Sequence, residues 1–240
     1  MNPPDAGPAT ASRRDELAAR LTGVRSRIRD AVAAAGRTDD PVLVVVTKFF
    51  PASDVDLLTE LGVTQIGENR DQEASAKCAQ VASRDRLTVH FIGQLQSNKA
   101  GSVAHYADVV QSLDRAKVVR ALDRGAQQAG RTLDVTVQVN LEQAQGRGGV
   151  APAQARELAD LVAGCRALTL RGVMAVAPLG GNPSAAFARL QEVADGIRAD
   201  HPDATWVSAG MSGDLEAAVA HGATHLRVGS AILGSRQSHR

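Results

Sequence analysis

The sequence is poor in aromatic side chains, with one tryptophan, one tyrosine and four phenylalanines in 240 residues. A surface that holds single-stranded nucleic acid by base stacking needs more than that. Excess charge is also missing. With 27 basic and 26 acidic side chains the formal charge is +1, too little for a global field that recruits nucleic acid or a membrane. Cysteine is scarce: Cys78 and Cys165 lie far apart with no Cys-x-x-Cys spacing, so two buried reduced thiols of a cytoplasmic protein are expected. Long apolar runs are absent, so no segment suits a bilayer span. Residues 1–12, "MNPPDAGPATAS", lack the apolar centre of a signal peptide and read as a disordered tail ahead of one domain over 13–240.

What is present is a regular alternation. Ser12 opens a helical pattern with Leu17, Leu21, Val24, Ile28 and Val32 on one stripe and Gly36 as its stop; Asp15 stands where a capping box would place its acid. Short β-rich runs then follow near 42–47, 63–68, 87–92, 108–113, 134–140, 169–174, 205–210 and 224–229. Helical stretches such as "DRAKVVRALDRGAQQAG" and "PSAAFARLQEVADGIRAD" fall between them. Eight strand–helix units in a chain of this length predict a single α/β domain, a TIM-like (β/α)8 barrel with an extra N-terminal helix. An open dinucleotide-binding sheet is disfavoured, because no Gly-x-Gly-x-x-Gly follows the first strand. In "DVTVQVN", Val135, Val137 and Val139 share the face expected to pack outward. Thr136, Gln138 and Asn140 then point inside, which suits a ligand better than a dry core.

Lysine is rare, at four positions: Lys48, Lys77, Lys99 and Lys117. Lys77 and Lys117 sit in helical surroundings and Lys99 follows a polar stretch. Lys48 ends the apolar run "VLVVVTK" and shares a face with Val44 and Val46. There it either snorkels into solvent or stands in the barrel mouth, where desolvation favours an uncharged, nucleophilic amine. The strand-seven and strand-eight runs lead into "AGMSGD" and "GSAILG". Loops at those places in (β/α)8 barrels recur as phosphate sites. The Ser212 hydroxyl and the N–H groups of Gly213, Gly229 and Ser230 would line the cup, although Ser212 as a helix N-cap and Gly222 as a helix stop are adequate structural roles. Arg227, between Leu226 and Val228, faces opposite to both and is read as inward. A buried guanidinium needs acceptors, from a salt bridge or from a ligand. An amine, a phosphate cup and an inward arginine together describe a site for pyridoxal 5'-phosphate.

Here the sequence resembles the pyridoxal phosphate homeostasis proteins, whose fold is that of the alanine racemase barrel domain. The resemblance is carried in order by "VVTKFFP" (45–51), "IGENRDQE" (66–73), "HFIGQLQSNK" (90–99), "VQVN" (137–140), "RGVMAV" (171–176) and "GMSGDLEAAVAHGATHLRVGSAILG" (210–234). It implies that Lys48 forms the imine and Arg227 faces the pyridine nitrogen. Ser212, Gly229 and Ser230 would hold phosphate, and Asn69 would lie beside the cofactor. Departures are local: Val89 stands where tryptophan is common, Asp71 where valine is usual, and Ala209 where methionine is usual.

An arginine facing the pyridine nitrogen keeps it unprotonated, which weakens the ring as an electron sink. Racemases of this fold also use a tyrosine from a second domain and a partner subunit. Here the chain ends just after strand eight, Tyr106 lies before strand four, and His90 on strand three is as readily a packed barrel histidine. The expectation is a monomeric binding protein that buffers pyridoxal phosphate or delivers it to apoenzymes. A weak amino-acid racemase and a Schiff-base aldolase for a sugar phosphate are the alternatives.

Overall fold

The computed structural model describes residues 8–142 and 148–234. Helix α1 (Pro8–Ala34) comes first, followed by β1 (Val42–Val46), α2 (Ala52–Glu60), β2 (Gln65–Glu68), α3 (Asp71–Gln80) and β3 (Thr88–Phe91). The middle of the chain forms α4 (Ala100–Tyr106), β4 (Val109–Leu113), α5 (Ala116–Gln128), β5 (Leu133–Gln138) and α6 (Ala155–Ala163). It closes with β6 (Leu168–Met174), α7 (Pro183–Asp200), β7 (Trp206–Ser208), α8 (Leu215–Ala220), β8 (His225–Val228) and α9 (Ser230–Leu233). The strands pair in parallel and in sequence order, and β8 returns to β1 to close the barrel. The expected barrel and its extra helix are both present.

Side-chain alternation sorts the strands into two layers. Val45, Ile66, Val89, Val135, Val137, Val139, Val173 and Leu226 join the helices in one apolar core. The opposite parity fills the barrel. Val44 and Val46 flank the Cβ position of Gly67 at 3.3 and 3.5 Å, and Thr136 donates to the Gln111 carbonyl at 3.0 Å. Valines out and polar groups in is the arrangement expected for strand five.

Helix α1 buries the predicted stripe of Leu17, Leu21, Val24, Ile28 and Val32, and Gly36 takes φ +65 at its end. It starts at Pro8, ahead of the predicted Ser12 start, so Ser12 lies inside the helix rather than capping it. Proline is tolerated there, because an N–H in the first turn has no intrahelical partner. Residues 1–7 of the predicted tail lie outside the described residues. Cys78 and Cys165 are free but half-buried rather than buried. No described helix is long and apolar enough to cross a membrane.

Candidate functional site

Strands β2, β1, β8 and β7 are consecutive around the barrel, so the residues that follow them share one side of its carboxyl-terminal mouth. Asn69 follows β2, Lys48 follows β1, Gly229 and Ser230 follow β8, and Ser212 and Gly213 lie in the β7–α8 loop. The residues singled out in sequence are thus brought together by strand order alone.

Lys48 continues the inward parity of Val44 and Val46 into a tight turn, in which Phe50 N–H donates to the Thr47 carbonyl at 3.1 Å. The third turn residue, Phe49, has φ +71. A type II turn puts a positive φ at that position and normally fills it with glycine or asparagine. Lys48 is half-buried, between the snorkelled and enclosed environments expected, with Nζ 5.9 Å from the centroid of the Phe49 ring. Its amine makes no hydrogen bond to a described residue.

Arg227 is paired in register with Val44 and is 4% exposed. Its Nη1 donates to Ser208 Oγ at 2.6 Å and its Nη2 to the Ala175 carbonyl at 2.7 Å. Desolvation lowers its pKa to about 10, with Asp214 acting weakly the other way. The guanidinium therefore remains a cation at neutral pH. None of its hydrogen-bond acceptors among the described residues is a carboxylate, and three of its five N–H donors are left over.

The cup forms where the last two loops meet. Ser230 Oγ donates to Ser212 Oγ at 3.2 Å, and Ala231 N–H reaches the same oxygen at 3.4 Å. Ser212 does not cap α8. Asp214 occupies the cap position, and its carboxylate accepts from Met211 N–H at 2.6 Å. Gly222, at φ +80 beyond α8, does act as a helix stop. A Cβ on Gly229 would lie 3.0 Å from the Val46 carbonyl, whereas one on Gly213 would meet only open space. Gly229 is thus needed for close approach of β8 to β1, whereas no close neighbour requires a glycine at 213. Helix α1 braces this loop: Arg27 donates to the Ser212 carbonyl at 3.2 Å and pairs with Glu216 at 2.7 Å. Asn69 borders a cavity of about 530 Å³ that also touches Arg70, Glu73, Gln94 and Lys99.

Sequence reasoning missed the hydrogen-bonded string beneath the mouth. Ser208 Oγ donates to Gln111 Oε1 at 2.7 Å, Gln111 Nε2 meets His90 Nδ1 at 2.8 Å, and His90 Nε2 meets Gln65 Oε1 at 2.7 Å. Because Gln111 Oε1 already accepts from Ser208, its amide N–H faces His90 and leaves the proton on Nε2. Every donor in the string thus points away from Arg227. Desolvation, with smaller contributions from His225 and Arg227, lowers the His90 pKa to about 3, so the ring is neutral. The signal was legible: Gln111 and Ser208 are polar residues inside otherwise apolar strand runs. Also missed were the partners of Lys77, a buried lysine that meets Glu68 at 2.7 Å and Glu73 at 3.3 Å.

The family model described as alanine racemase, N-terminal domain, matches residues 20–237. The pyridoxal phosphate homeostasis protein of Mycobacterium tuberculosis (strain H37Rv) is 42% identical, over 94% of this chain and 95% of that protein. Among solved structures, PipY of Synechococcus elongatus PCC7942 with PLP bound is 34% identical with a TM-score of 0.81, covering 91% of this chain and 100% of PipY. Alanine racemase from Streptomyces coelicolor A3(2) shares the fold at 18% identity, with a TM-score of 0.73. That match covers 95% of this chain and 59% of the racemase.

Proposed function

The chain belongs to the pyridoxal phosphate homeostasis protein family, and from that premise we propose that it binds pyridoxal 5'-phosphate in the barrel mouth, holds it as an imine on Lys48, and buffers or delivers it in the cytoplasm. Lys48 would supply the amine for that imine, with one water released per cofactor held. Ser212, Gly213, Gly229 and Ser230 hold the phosphate, Arg227 donates to the ring nitrogen, and Asn69 borders the ring. When bound, the cofactor supplies an aldehyde that captures amines.

The observation that carries this reading is Arg227, a buried cation with spare donors and no carboxylate acceptor among the described residues, on the strand beside Lys48. Such a group fits an acceptor that arrives with a ligand. The two serine hydroxyls, 3.2 Å apart and exposed, fit a phosphate.

Racemisation needs a second acid/base at the mouth, and the candidates here are engaged elsewhere. Tyr106 ends α4 just ahead of β4, at the opposite end of the barrel, and is buried. His90 is neutral, buried and hydrogen-bonded through both ring nitrogens. We therefore expect negligible racemisation of alanine and other common amino acids by the isolated protein. Turnover of about 1 per second or faster would restore the racemase alternative. Because the proposed site draws on one chain alone, we also propose a monomer that hands its cofactor to apoenzymes.

Titrating the purified protein with pyridoxal 5'-phosphate tests the binding. One equivalent should bind and turn yellow, whereas a colourless protein that binds only sugar phosphates would favour the aldolase. Arg227→Ala should still form the imine, but losing a charged hydrogen bond costs about 1.5–3 kcal/mol. That is about a tenfold to hundredfold loss of affinity. Wild-type affinity with an unchanged spectrum would show that Arg227 does not face the ring.

A further inference from the structure

Lys48 lies between two residues that a buried charge cluster grips, while its own amine makes no hydrogen bond to a described residue. On one side is Thr47. Its hydroxyl donates to Glu68 Oε1 at 2.6 Å, and its carbonyl accepts from Lys77 Nζ at 2.8 Å. On the other side is Phe49, whose N–H donates to Glu73 Oε1. Lys77 ties these contacts together: its three N–H donors go to the Thr47 carbonyl, Glu68 Oε1 and Glu73 Oε1.

Two features show that this cluster serves more than cohesion. Phe49, at φ +71, is the one non-glycine residue with positive φ among the described residues. A bulky side chain is strained there and keeps that conformation only when its surroundings impose it. The second feature is the state of Glu68, which is fully buried, with Oε2 lacking a hydrogen-bond partner among the described residues. A buried ion pair that leaves a carboxylate oxygen unsatisfied is a poor way to gain stability compared with an apolar pair of the same size. It is, however, a specific way to fix a turn.

We infer that Glu73, with Lys77 and Glu68 behind it, is a positioning residue that holds the Thr47–Phe50 turn so that the Lys48 amine is presented to the barrel mouth. This rests on the reading of Lys48 as the residue that captures the cofactor. Lys77 and Glu73 touch the backbone on either side of Lys48, Glu68 holds the Thr47 hydroxyl, and none of the three makes a hydrogen bond to the Lys48 amine, so their effect is on where the amine points.

The test compares Glu73→Ala with Glu73→Gln, whose side-chain oxygen still accepts from Phe49 N–H. In the cofactor-free protein, amide hydrogen exchange at Phe49 should rise about tenfold or more in Glu73→Ala and stay near wild type in Glu73→Gln. With pyridoxal 5'-phosphate added, covalent capture by Lys48, read by borohydride trapping over time, should slow about tenfold or more in Glu73→Ala and recover in Glu73→Gln. In a Lys48→Ala background, where only non-covalent binding remains, adding Glu73→Ala should change affinity by less than about twofold. Glu73 is 27% exposed, so the substitution is expected to fold. If it does not, the neutral pair Glu68→Gln with Lys77→Met replaces it, with the same slowing expected. Unchanged capture, or an equal loss of affinity with and without Lys48, would overturn the inference while leaving Lys48 as the capturing residue. A wild-type adduct on another lysine would overturn the reading of Lys48 itself, and this inference with it.

Discussion

Lys48→Ala should bind pyridoxal 5'-phosphate and stay colourless. The substitution deletes the lysine amine that follows β1 at the mouth of the barrel. It leaves untouched the serine cup after β7 and β8 and the Arg227 donors, which are held by Ser208 and Ala175. Loss of the visible imine band should therefore be complete, whereas phosphate-dependent binding persists at lower affinity. The two are separated by following absorbance and bound phosphate in one titration. Retention of the yellow band would mean that another amine forms the imine. Loss of all binding would mean that the cup contributes little without the covalent bond.

Acid should destabilise the fold well before most carboxylates titrate. His90 and His225 are buried inside the barrel with ring centroids 6.3 Å apart, and desolvation is the main cause lowering their pKa values to about 3 and about 4. Above the ordinary value of 6.5 both states carry neutral rings and the histidines contribute nothing to the pH dependence. Below it the unfolded chain takes up protons that the folded barrel refuses, so stability falls as pH drops from 6.5 toward 4. Each histidine then costs about 2 kcal/mol at pH 5, or about 4 kcal/mol for the pair, at 1.36 kcal/mol per unit. Glu68, whose pKa is raised chiefly by burial, acts in the opposite sense just above its ordinary value and offsets part of the loss. Urea unfolding at pH 7 and pH 5 measures the difference, and His90→Gln should remove about half of it. Equal stability at the two pH values would show that these rings are protonated in the folded state.

Much of this site was legible before any coordinates, and the reason is period. A strand that alternates every second residue declares its inward face, so Val44, Val46 and Lys48 fell together, as did Arg227 opposite Leu226 and Val228. Strand order then placed Lys48, Asn69, Ser212 and Ser230 around one side of the mouth without any side-chain contact being known. The parts that were illegible have no period. Helix α3 buries only Ala74 and Lys77 and has no apolar stripe, so its pattern gave Lys77 helical surroundings and nothing more. Its burial follows from two carboxylates and a turn carbonyl, and Thr47 and Glu68 are too far away in sequence for any helical spacing to disclose them. Ser12 resembled a cap because polar residues near a helix start usually are caps, yet the helix continues back to Pro8. Ser212 had the chemistry of a cap as well, but Asp214 takes that position and leaves the Ser212 hydroxyl to Ser230.

The most direct measurement is borohydride reduction of the protein loaded with pyridoxal 5'-phosphate, followed by peptide mapping. The account predicts one pyridoxyl adduct, on the peptide containing "VVTKFFP", at Lys48. Adduct found mainly on Lys77, Lys99 or Lys117 would contradict it.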